Sequence, residues 1–319
     1  MNLIMKILCF VLLTVNIATI AILSWGKCGL SKCITRYLVS MAVTDLLVVF
    51  VDVIFDQIGD SYFPDSFLNI TAICSLRGVL RYAASDSSVW LTVSFTFDRF
   101  ITICCQKLKR KYCTEKTAAI VISTICVLSC VKNIPWYFQY EPYEIIDNIP
   151  WYCFRNSLEY YVSSMWSTFE LLQYSITPFI PFLLILTLNA LTVRHILAAN
   201  RIRRALRNPK SSEEEDDPET EHRRKSIILL FSISSSFILL WVTHVIHSLL
   251  QRISTMSYYR IHVDSTTAEQ IGDALRLLSC CTNTCIYAVT QTKFREELKN
   301  ALKYPFNLIS CLLMKHGTS

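Results

Sequence analysis

Residues 37–58 read YLVSMAVTDLLVVFVDVIFDQI, an apolar run long enough to cross the hydrocarbon core of a bilayer as a helix. The whole chain has a similar character, because 52% of its 319 residues are hydrophobic and only 18% are charged. Such a composition is too apolar for an ordinary soluble domain of this length. The sequence therefore predicts an all-α membrane protein.

Seven apolar segments of this kind follow one another, separated by short polar runs. They are residues 3–25, 37–58, 74–105, 117–138, 166–197, 226–250 and 268–290. We therefore expect a seven-helix transmembrane domain over residues 1–290. A charged loop is expected at residues 198–225, between the fifth and sixth spans, and residues 291–319 follow the last span.

The basic residues predict the orientation of the bundle. Most of the 31 Lys and Arg residues lie after the first, third and fifth spans and in the tail. Because cytoplasmic loops carry the excess of Lys and Arg, we expect the C-terminus inside and the N-terminus outside. The net charge of +6 therefore reflects the orientation of a chain embedded in membrane lipid, and we expect no nucleic-acid partner.

Two cysteines stand apart from most of the others in this topology. Cys74 begins the third span on the outer side, and Cys153 lies in the outer loop before the fifth span. A disulfide between them would tie that loop to the top of the third helix. On the same side, Asn69 begins an N-x-S/T sequon and is a candidate for N-glycosylation.

Asp45 is an ionisable residue inside the second span, where an unpaired charge is unfavourable. We predict that Ser88 of the third span, with Ser279 and Asn283 of the seventh, faces this carboxylate. Together these oxygen atoms could hold a small cation. The alternative is a carboxylate that only stabilises helix packing.

An outer ligand pocket is expected between the third, sixth and seventh spans. Its candidate residues are Arg81, Tyr82, Ser85, His244, Asp273 and Arg276. Charges in the outer half of a span usually line water or ligand. Arg81 and Arg276 suit a carboxylate, Asp273 suits an amine, and Tyr82 with Trp241 suits an aromatic ring. In the alternatives, Arg81 simply pairs with Asp273, or His244 and His247 bind zinc, although they lack a third ligand.

Several motifs occur in a fixed order, one group for each expected helix. They are Asp45, Cys74 with Cys153, Asp98-Arg99-Phe100, Pro181, Phe237 with Trp241, and Asn283 with Tyr287 followed by Phe294. Along essentially the whole chain this pattern resembles rhodopsin-like, or class A, G-protein-coupled receptors. The resemblance implies a seven-helix bundle with a short amphipathic eighth helix. It also implies a plasma-membrane location, an extracellular ligand and a heterotrimeric G protein as partners.

The same resemblance implies roles for individual residues. Asp45 would hold a sodium ion as allosteric modulator, and we expect no other metal or cofactor. The residues implied in G-protein coupling are Asp98, Arg99, Phe100, Asn189 and Tyr287. Those implied in the activation switch are Trp241, Phe237, Thr243 and Asn283. Phe294 would begin an amphipathic helix along the inner leaflet, so that residues 291–319 form this helix and a short cytoplasmic tail. Its apolar face would consist of Phe294, Leu298, Ala301 and Leu302.

The chain also departs from the family pattern. Phe100 replaces the usual tyrosine, which is a mild change, and Asn189 stands where the fifth helix often has one. Thr243 and Thr284 stand where prolines normally interrupt the sixth and seventh helices. Without those prolines the helices lack the broken hydrogen bonds that permit hinge-like bending. Threonine hydroxyl groups can soften a helix, though less strongly.

Within the family, the chain resembles a subgroup of orphan receptors. YLVSMAVTDLLV at residues 37–48 and LLSCCTNTCIYAVTQTKFREELKNALKYPF at residues 277–306 resemble the fish forms of the group called probable G-protein coupled receptor 139. Relatives in that group are reported to respond to aromatic amino acids and peptides. An aromatic amino acid or a peptide is therefore the expected ligand class.

Other function classes have less support from the sequence. No nucleophile elbow, phosphate loop or zinc motif such as H-E-x-x-H occurs, so we expect no enzyme activity. A membrane transporter is an alternative, but it usually shows repeated halves and helices interrupted by Gly or Pro. A receptor-like scaffold that does not couple is a further alternative, suggested by the missing prolines.

Overall fold

The computed structural model describes residues 3–25, 28–59, 62–63, 65–155, 163–206, 218–256 and 265–300. Long helices make up most of this part of the chain. They are α1 (Leu3–Trp25), α2 (Lys32–Val49), α3 (Thr71–Cys104), α4 (Glu115–Asn133), α5 (Ser164–Tyr174 and Ile180–Leu206), α6 (Pro218–Met256) and α7 (Ser265–Thr290). A short helix at residues 292–300, α8, follows directly after α7.

Two of the long helices are irregular along part of their length. α2 continues through the π-helix Phe50–Gly59, whose wide turns change the direction in which the following side chains point. The two parts of α5 are joined by a kink at Ser175–Phe179, where Thr177 has the non-helical angles φ −146° and ψ 112° and Pro178 follows it. The outer ends of α2 and α5 therefore present residues that a regular helical wheel would place elsewhere.

Short elements and polar caps complete the connections. The 3₁₀-helices Phe67–Asn69 and Ile134–Gln139 lie beside α3 and after α4, and the short helix Gln106–Tyr112 joins α3 to α4. The Thr114 hydroxyl begins α4 by accepting the backbone N–H of Thr117 at 3.2 Å. This is an N-cap, which satisfies one of the free N–H groups of the first turn.

Each predicted span overlaps one of the seven helices, but the ends differ. α5 extends to Leu206 and α6 begins at Pro218, so both ends of the loop predicted at residues 198–225 are helical. Arg, Lys and Glu are good helix formers, so a helix can continue past the apolar run into water. Charge marks where the apolar segment ends, and it does not mark where the helix ends.

Hydropathy alone identifies only some of these helices as membrane spans. Among the described residues, three helical segments are both long and apolar enough to cross a bilayer: Lys32–Phe55, Glu115–Gln139 and Ser164–Ala199. α3 does not qualify, because it contains Arg77, Arg81, Asp86, Asp98 and Arg99. α3 nevertheless packs against α2, α4, α5 and α6. Four of these five residues are therefore buried among other helices, as charged residues at membrane depth usually are, and Arg81 is partly exposed.

The buried core forms separate clusters along the bundle. One cluster joins Phe95 of α3, Ile233 of α6, Tyr287 of α7 and Phe294 of α8. Another joins Val89 and Val93 of α3 with Ile185 of α5 and with Phe237 and Trp241 of α6. α3 and α6 contribute to both clusters, so their contact continues along much of the bundle.

A two-stranded hairpin lies between α4 and α5. Strand β1 (Tyr140–Ile146) pairs antiparallel with β2 (Ile149–Arg155). Asp147 and Asn148 form the turn with φ angles of 50° and 60°. Short polar side chains tolerate this left-handed geometry, which matches the twist of a two-residue hairpin. From the sequence, only an outer loop was predicted at this place.

The hairpin is fastened to the outer end of α3. The disulfide predicted between Cys74 and Cys153 is present, with the two Cα atoms 6.2 Å apart. A further bridge pairs Ile70 with Trp151 of β2. The Tyr152 hydroxyl donates to Asp65 at 2.9 Å, and this hydrogen bond to a carboxylate raises the pKa of Tyr152. The loop is thus held as a defined strand pair.

Candidate functional site

Asp98 and Arg99 form a buried ion pair near the C-terminal end of α3. Arg99 Nη2 pairs with Asp98 Oδ2, and both side chains are at least 90% buried. The Arg99 guanidinium also lies 5.8 Å from the centre of the Phe95 ring, within reach of a cation–π contact. The other carboxylate oxygen, Asp98 Oδ1, accepts a hydrogen bond from the thiol of Cys33 at 3.2 Å. Asp98 therefore links the start of α2 to Arg99.

The other predicted coupling residues lie on the surrounding helices. Asn189 of α5 and Tyr287 of α7 are both buried, and Phe100 is partly exposed. The Tyr287 ring meets Phe294 edge to face, with the ring centres 5.8 Å apart. This contact fixes α8 against the inner end of α7, because Phe294 is fully buried.

Asp45 lies in the middle of α2 and is almost completely buried. It accepts hydrogen bonds from Ser88 Oγ at 2.6 Å and from Asn283 Nδ2 at 3.1 Å. Two of the three predicted partners therefore meet it, and they come from α3 and α7. Ser279 has different contacts, because its hydroxyl donates to the backbone carbonyl of Arg276 at 2.6 Å. Carboxylate, hydroxyl and amide oxygens are ligands that suit a small hard cation.

The aromatic residues of α6 connect α5 to α7. The Phe237 ring lies 5.5 Å from Phe182 of α5 and 5.5 Å from Trp241, measured between centres. Trp241 Nε1 donates to Ser279 Oγ of α7 at 3.2 Å. Ser279 thus accepts from Trp241 and donates to the carbonyl of Arg276. Thr243, another predicted switch residue, lies two residues after Trp241 in α6 and is partly exposed.

A carboxylate that the sequence analysis did not single out holds two of the predicted pocket residues. Asp52 Oδ2 pairs with Arg276 Nη2 at 2.5 Å, and Asp52 Oδ1 lies 3.1 Å from Arg81 Nε. Arg276 Nη1 also donates to Ser85 Oγ at 3.3 Å. Asp52 is buried, whereas 34% of the Arg81 side chain remains exposed. The outer halves of α3 and α7 therefore meet at the π-helical end of α2.

The spacing of the two aspartates was the signal that could have revealed Asp52. Asp52 follows Asp45 by seven residues, which is two helical turns, so both lie on one face of α2. A second missed residue is Asn16 of α1, which is buried. Its Nδ2 donates to the Cys280 carbonyl of α7 at 2.9 Å. An amide inside an apolar span was the available signal.

Tyr82 has contacts other than those predicted. It stacks on Trp136 with ring centres 4.3 Å apart, and Trp136 also contacts Phe169 of α5 at 5.1 Å. Tyr82 therefore belongs to an aromatic cluster between α3, α4 and α5. The side chains of His244, His247 and Asp273 lie outside the described residues, so the predicted roles and pairings of these three have no structural account.

Asn69, the predicted glycosylation residue, is packed among other side chains. Its side chain is buried, and its Oδ1 accepts from Arg77 Nη2 at 3.3 Å. Arg77 Nη1 in turn donates to the carbonyl of Phe55 at 2.9 Å. The Asn69 side chain thus lies between α3 and the end of α2, and its use as a glycosylation site stays a prediction. The sequon alone could not reveal this burial.

A second polar network joins α3, α4 and α5 in the outer half of the bundle. Asp86 Oδ2 accepts from Lys132 Nζ at 2.7 Å and from Asn133 Nδ2 at 2.5 Å. Lys132 Nζ also lies 3.2 Å from Thr177 Oγ1, to which Trp90 Nε1 donates at 3.3 Å. These contacts satisfy a buried carboxylate at membrane depth and tie the three helices together.

The comparison with known protein families agrees with this geometry. The family model described as 7 transmembrane receptor (rhodopsin family) matches residues 15–287, which include every motif residue from Asp45 to Tyr287. The match confirms the predicted seven-helix fold, and receptors of this family are not enzymes. The chain therefore belongs to the rhodopsin family of seven-transmembrane receptors.

Proposed function

We propose that this receptor binds an extracellular ligand between the outer ends of α2, α3 and α7 and activates a heterotrimeric G protein on its cytoplasmic side. Family membership makes the chain a signalling receptor and a multi-pass protein of the plasma membrane. The orientation, with the N-terminus outside, is supported by the excess of Lys and Arg in the segments proposed as cytoplasmic.

The ligand that suits the outer site carries a carboxylate and an aromatic ring. Arg276 is held in place by Asp52 and Ser85, and Arg81 is held by Asp52 while a third of its side chain stays exposed. A guanidinium that is already oriented binds a carboxylate with little further loss of side-chain freedom. An aromatic amino acid or a peptide carries both groups. The resemblance to the orphan subgroup supports the same ligand class.

One observation carries the proposed mechanism, namely the contact path from the outer site to α6. Arg276 binds Asp52 through its side chain, and its carbonyl accepts from Ser279. Ser279 in turn accepts from Trp241, which packs against Phe237. A ligand that moves Arg276 would change the support under Trp241. The ligand would thereby favour one of two packings of α6 against α5 and α7.

At the inner end, the Asp98–Arg99 pair represents the resting arrangement. Asp98 holds Arg99 within α3 while Cys33 holds Asp98 from α2. When α6 moves, Arg99 would leave Asp98 and turn toward Asn189, Tyr287 and the G protein. Charge-assisted hydrogen bonds are strong enough to hold either state, so a change in packing decides between them.

A ligand screen tests the proposed function most directly. The probes are L-tryptophan, L-phenylalanine and short peptides, each compared with an amine that lacks the carboxylate, such as tryptamine. The readout is dissociation of the G protein in cells, scored against each class of α subunit. We expect the carboxylate-bearing probes to act and Arg276→Gln to reduce their potency at least tenfold. Equal potency of L-tryptophan and tryptamine would reject the proposed carboxylate recognition.

The Asp45 cluster is proposed as a sodium site that favours the resting state. The supporting observation is the buried carboxylate with Ser88 and Asn283 around it. In sodium buffer, agonist affinity should be several-fold lower than in an equal concentration of N-methylglucamine. The Asp45→Asn variant should lose this difference. Unchanged sodium dependence in Asp45→Asn would place the ion elsewhere or exclude it.

A scaffold that does not couple is the second candidate, and one observation favours it. Thr284, which replaces the family proline, is buried, and its hydroxyl lies 2.5 Å from the hydroxyl of Thr19 of α1. α7 is thus an uninterrupted helix that is hydrogen-bonded to α1. Nucleotide exchange on purified G proteins, with and without agonist, distinguishes the two functions. Uptake of a probe by proteoliposomes without any G protein would instead support a transporter.

A further inference from the structure

An apolar groove lies between α3, α4 and α5, next to the Asp98–Arg99 pair. Its volume is about 330 Å³, at the lower end of the range for small-molecule sites. The apolar walls come from three helices. They are formed by Val93, Phe97 and Ile101 of α3, Val121 of α4, and Leu184 and Leu188 of α5. The groove is separate from the outer ligand site.

The groove faces the bilayer. Phe97 and Leu184 line it, and their side chains remain 46% and 38% exposed. Neighbouring apolar residues on α4 and α5 are also exposed: Ile120 by more than half and Leu183 by about half. In a seven-helix receptor these outer faces of α4 and α5 contact lipid. The natural occupant of an apolar groove at this position is therefore a hydrocarbon chain.

The inner end of the groove is polar and lies beside basic residues. Tyr112, Cys113 and Thr117 line this end together with Asp98. Tyr112 ends the short helix Gln106–Tyr112, whose last turn contains Lys109, Arg110 and Lys111, all exposed. Lys109 lies three residues before Tyr112 and so shares its face. A positive charge at the mouth of an apolar groove complements an anionic lipid headgroup.

We propose that this groove binds one acyl chain of an anionic inner-leaflet phospholipid, with its headgroup against Lys109. The volume suits part of a single chain and not a whole lipid. Because Asp98 lines the inner end, a bound chain would pack against the residue that holds Arg99. The lipid would thereby shift the balance between the resting and active arrangements. This last step rests on the proposed function, whereas the binding itself does not.

The binding test uses the full chain in nanodiscs of phosphatidylcholine with and without phosphatidylserine. Native mass spectrometry after detergent transfer counts the phospholipid that stays bound. We expect phosphatidylserine to be retained on the wild type in preference to phosphatidylcholine. Val121→Phe fills the groove and should reduce this retention at least fivefold. Ile120→Phe adds the same ring one residue earlier on the exposed face of α4 and should leave retention unchanged.

A second pair of variants tests the headgroup contact. Lys109→Gln should remove the preference for phosphatidylserine while some phosphatidylcholine is still retained. Arg110→Gln removes the same charge from the opposite face of the short helix and should have a smaller effect. Thermal unfolding of every variant shows whether it is folded, and all of them are compared at equal folded fraction.

The outcomes separate this proposal from the receptor function. Equal retention by wild type and folded Val121→Phe would overturn the groove as the binding site. Equal retention of both lipids by the wild type would overturn the headgroup contact. A chain that retains phosphatidylserine as expected but never promotes nucleotide exchange would support the lipid site and contradict the proposed coupling. The two lipid-retention results do not depend on knowing the extracellular ligand.

Discussion

Asp52 is a single carboxylate that holds arginines from two other helices. Arg81 and Arg276 converge on it, and Asp52 itself is buried. Removing one partner from a buried charge cluster typically costs about 3–5 kcal/mol, because the remaining charges stay desolvated. Asp52→Asn should therefore lower the thermal stability of the purified receptor by several degrees. The unfolding temperature is measured by following tryptophan fluorescence while the purified receptor is heated.

Glu141→Gln is the matched control for that experiment. Glu141 is an exposed acid on β1, and charge changes on an exposed surface usually have small effects on stability. If Asp52→Asn unfolds at the same temperature as Glu141→Gln, the arginines do not depend on Asp52. The double variant Asp52→Asn, Arg81→Gln should recover part of the lost stability, because it removes one uncompensated charge.

Asp98 and Arg99 should show opposite phenotypes although they form one pair. Asp98→Asn weakens the contact that holds Arg99 and should raise agonist-free nucleotide exchange severalfold. Arg99→Ala should abolish exchange and leave ligand binding intact. Glu115→Gln is the control, because Glu115 also pairs with an arginine, Arg36 at 2.5 Å, but at an exposed site where ion pairs contribute little. Retained exchange in Arg99→Ala would reject the assignment.

The contact between the hairpin and α3 depends on Gly78. A Cβ atom at this position would lie 2.9 Å from Cε2 of Tyr140, well inside the separation of about 3.5–4.0 Å that carbon atoms prefer. Alanine usually stabilises a helix over glycine by about 1 kcal/mol, whereas overpacking costs about 1–3 kcal/mol. Gly78→Ala should therefore reduce surface expression, as measured by antibody labelling of intact cells.

Shortening the opposing ring checks the cause of that effect. Tyr140→Leu removes the atoms that the new methyl group would meet, so the double variant Gly78→Ala, Tyr140→Leu should be expressed better than Gly78→Ala alone. If Gly78→Ala by itself is expressed better than the wild type, the hairpin yields readily and does not constrain α3.

At the scale of the whole molecule, Ser279 joins the outer site to α6. Its hydroxyl accepts from Trp241 and donates to the carbonyl of Arg276. Ser279→Ala should lower the maximal response to an agonist while leaving its affinity nearly unchanged, because the residue need not touch the ligand. Thr282→Ala is the control, since the Thr282 hydroxyl donates to the Ser279 carbonyl within its own helix. Ser279→Thr keeps the hydroxyl and should restore the response.

The pattern of apolar runs predicts the helices well, because each must span the same thickness of hydrocarbon. Motif order predicts which helix carries Asp45, Asp98 and Trp241. The partners of the arginines were harder to predict. Which acid meets Arg81 depends on how α2, α3 and α7 pack against one another, and the spacing within any one helix does not determine that packing. The hairpin was missed because two short strands with Pro142 and Pro150 carry little strand signal.

The hydrogen bond between Thr284 and Thr19 affects how α7 can move. A helix that keeps all its backbone hydrogen bonds bends little. α7 would therefore move as a rigid body and rotate about the point where it is hydrogen-bonded to α1. Arg276 and Tyr287 are eleven residues apart, which corresponds to about 16 Å along the axis. Thr284, which makes this hydrogen bond, lies closer to Tyr287 than to Arg276. A sideways displacement of the outer end would therefore reach the inner end reversed in direction and reduced in amplitude, as in a lever with unequal arms.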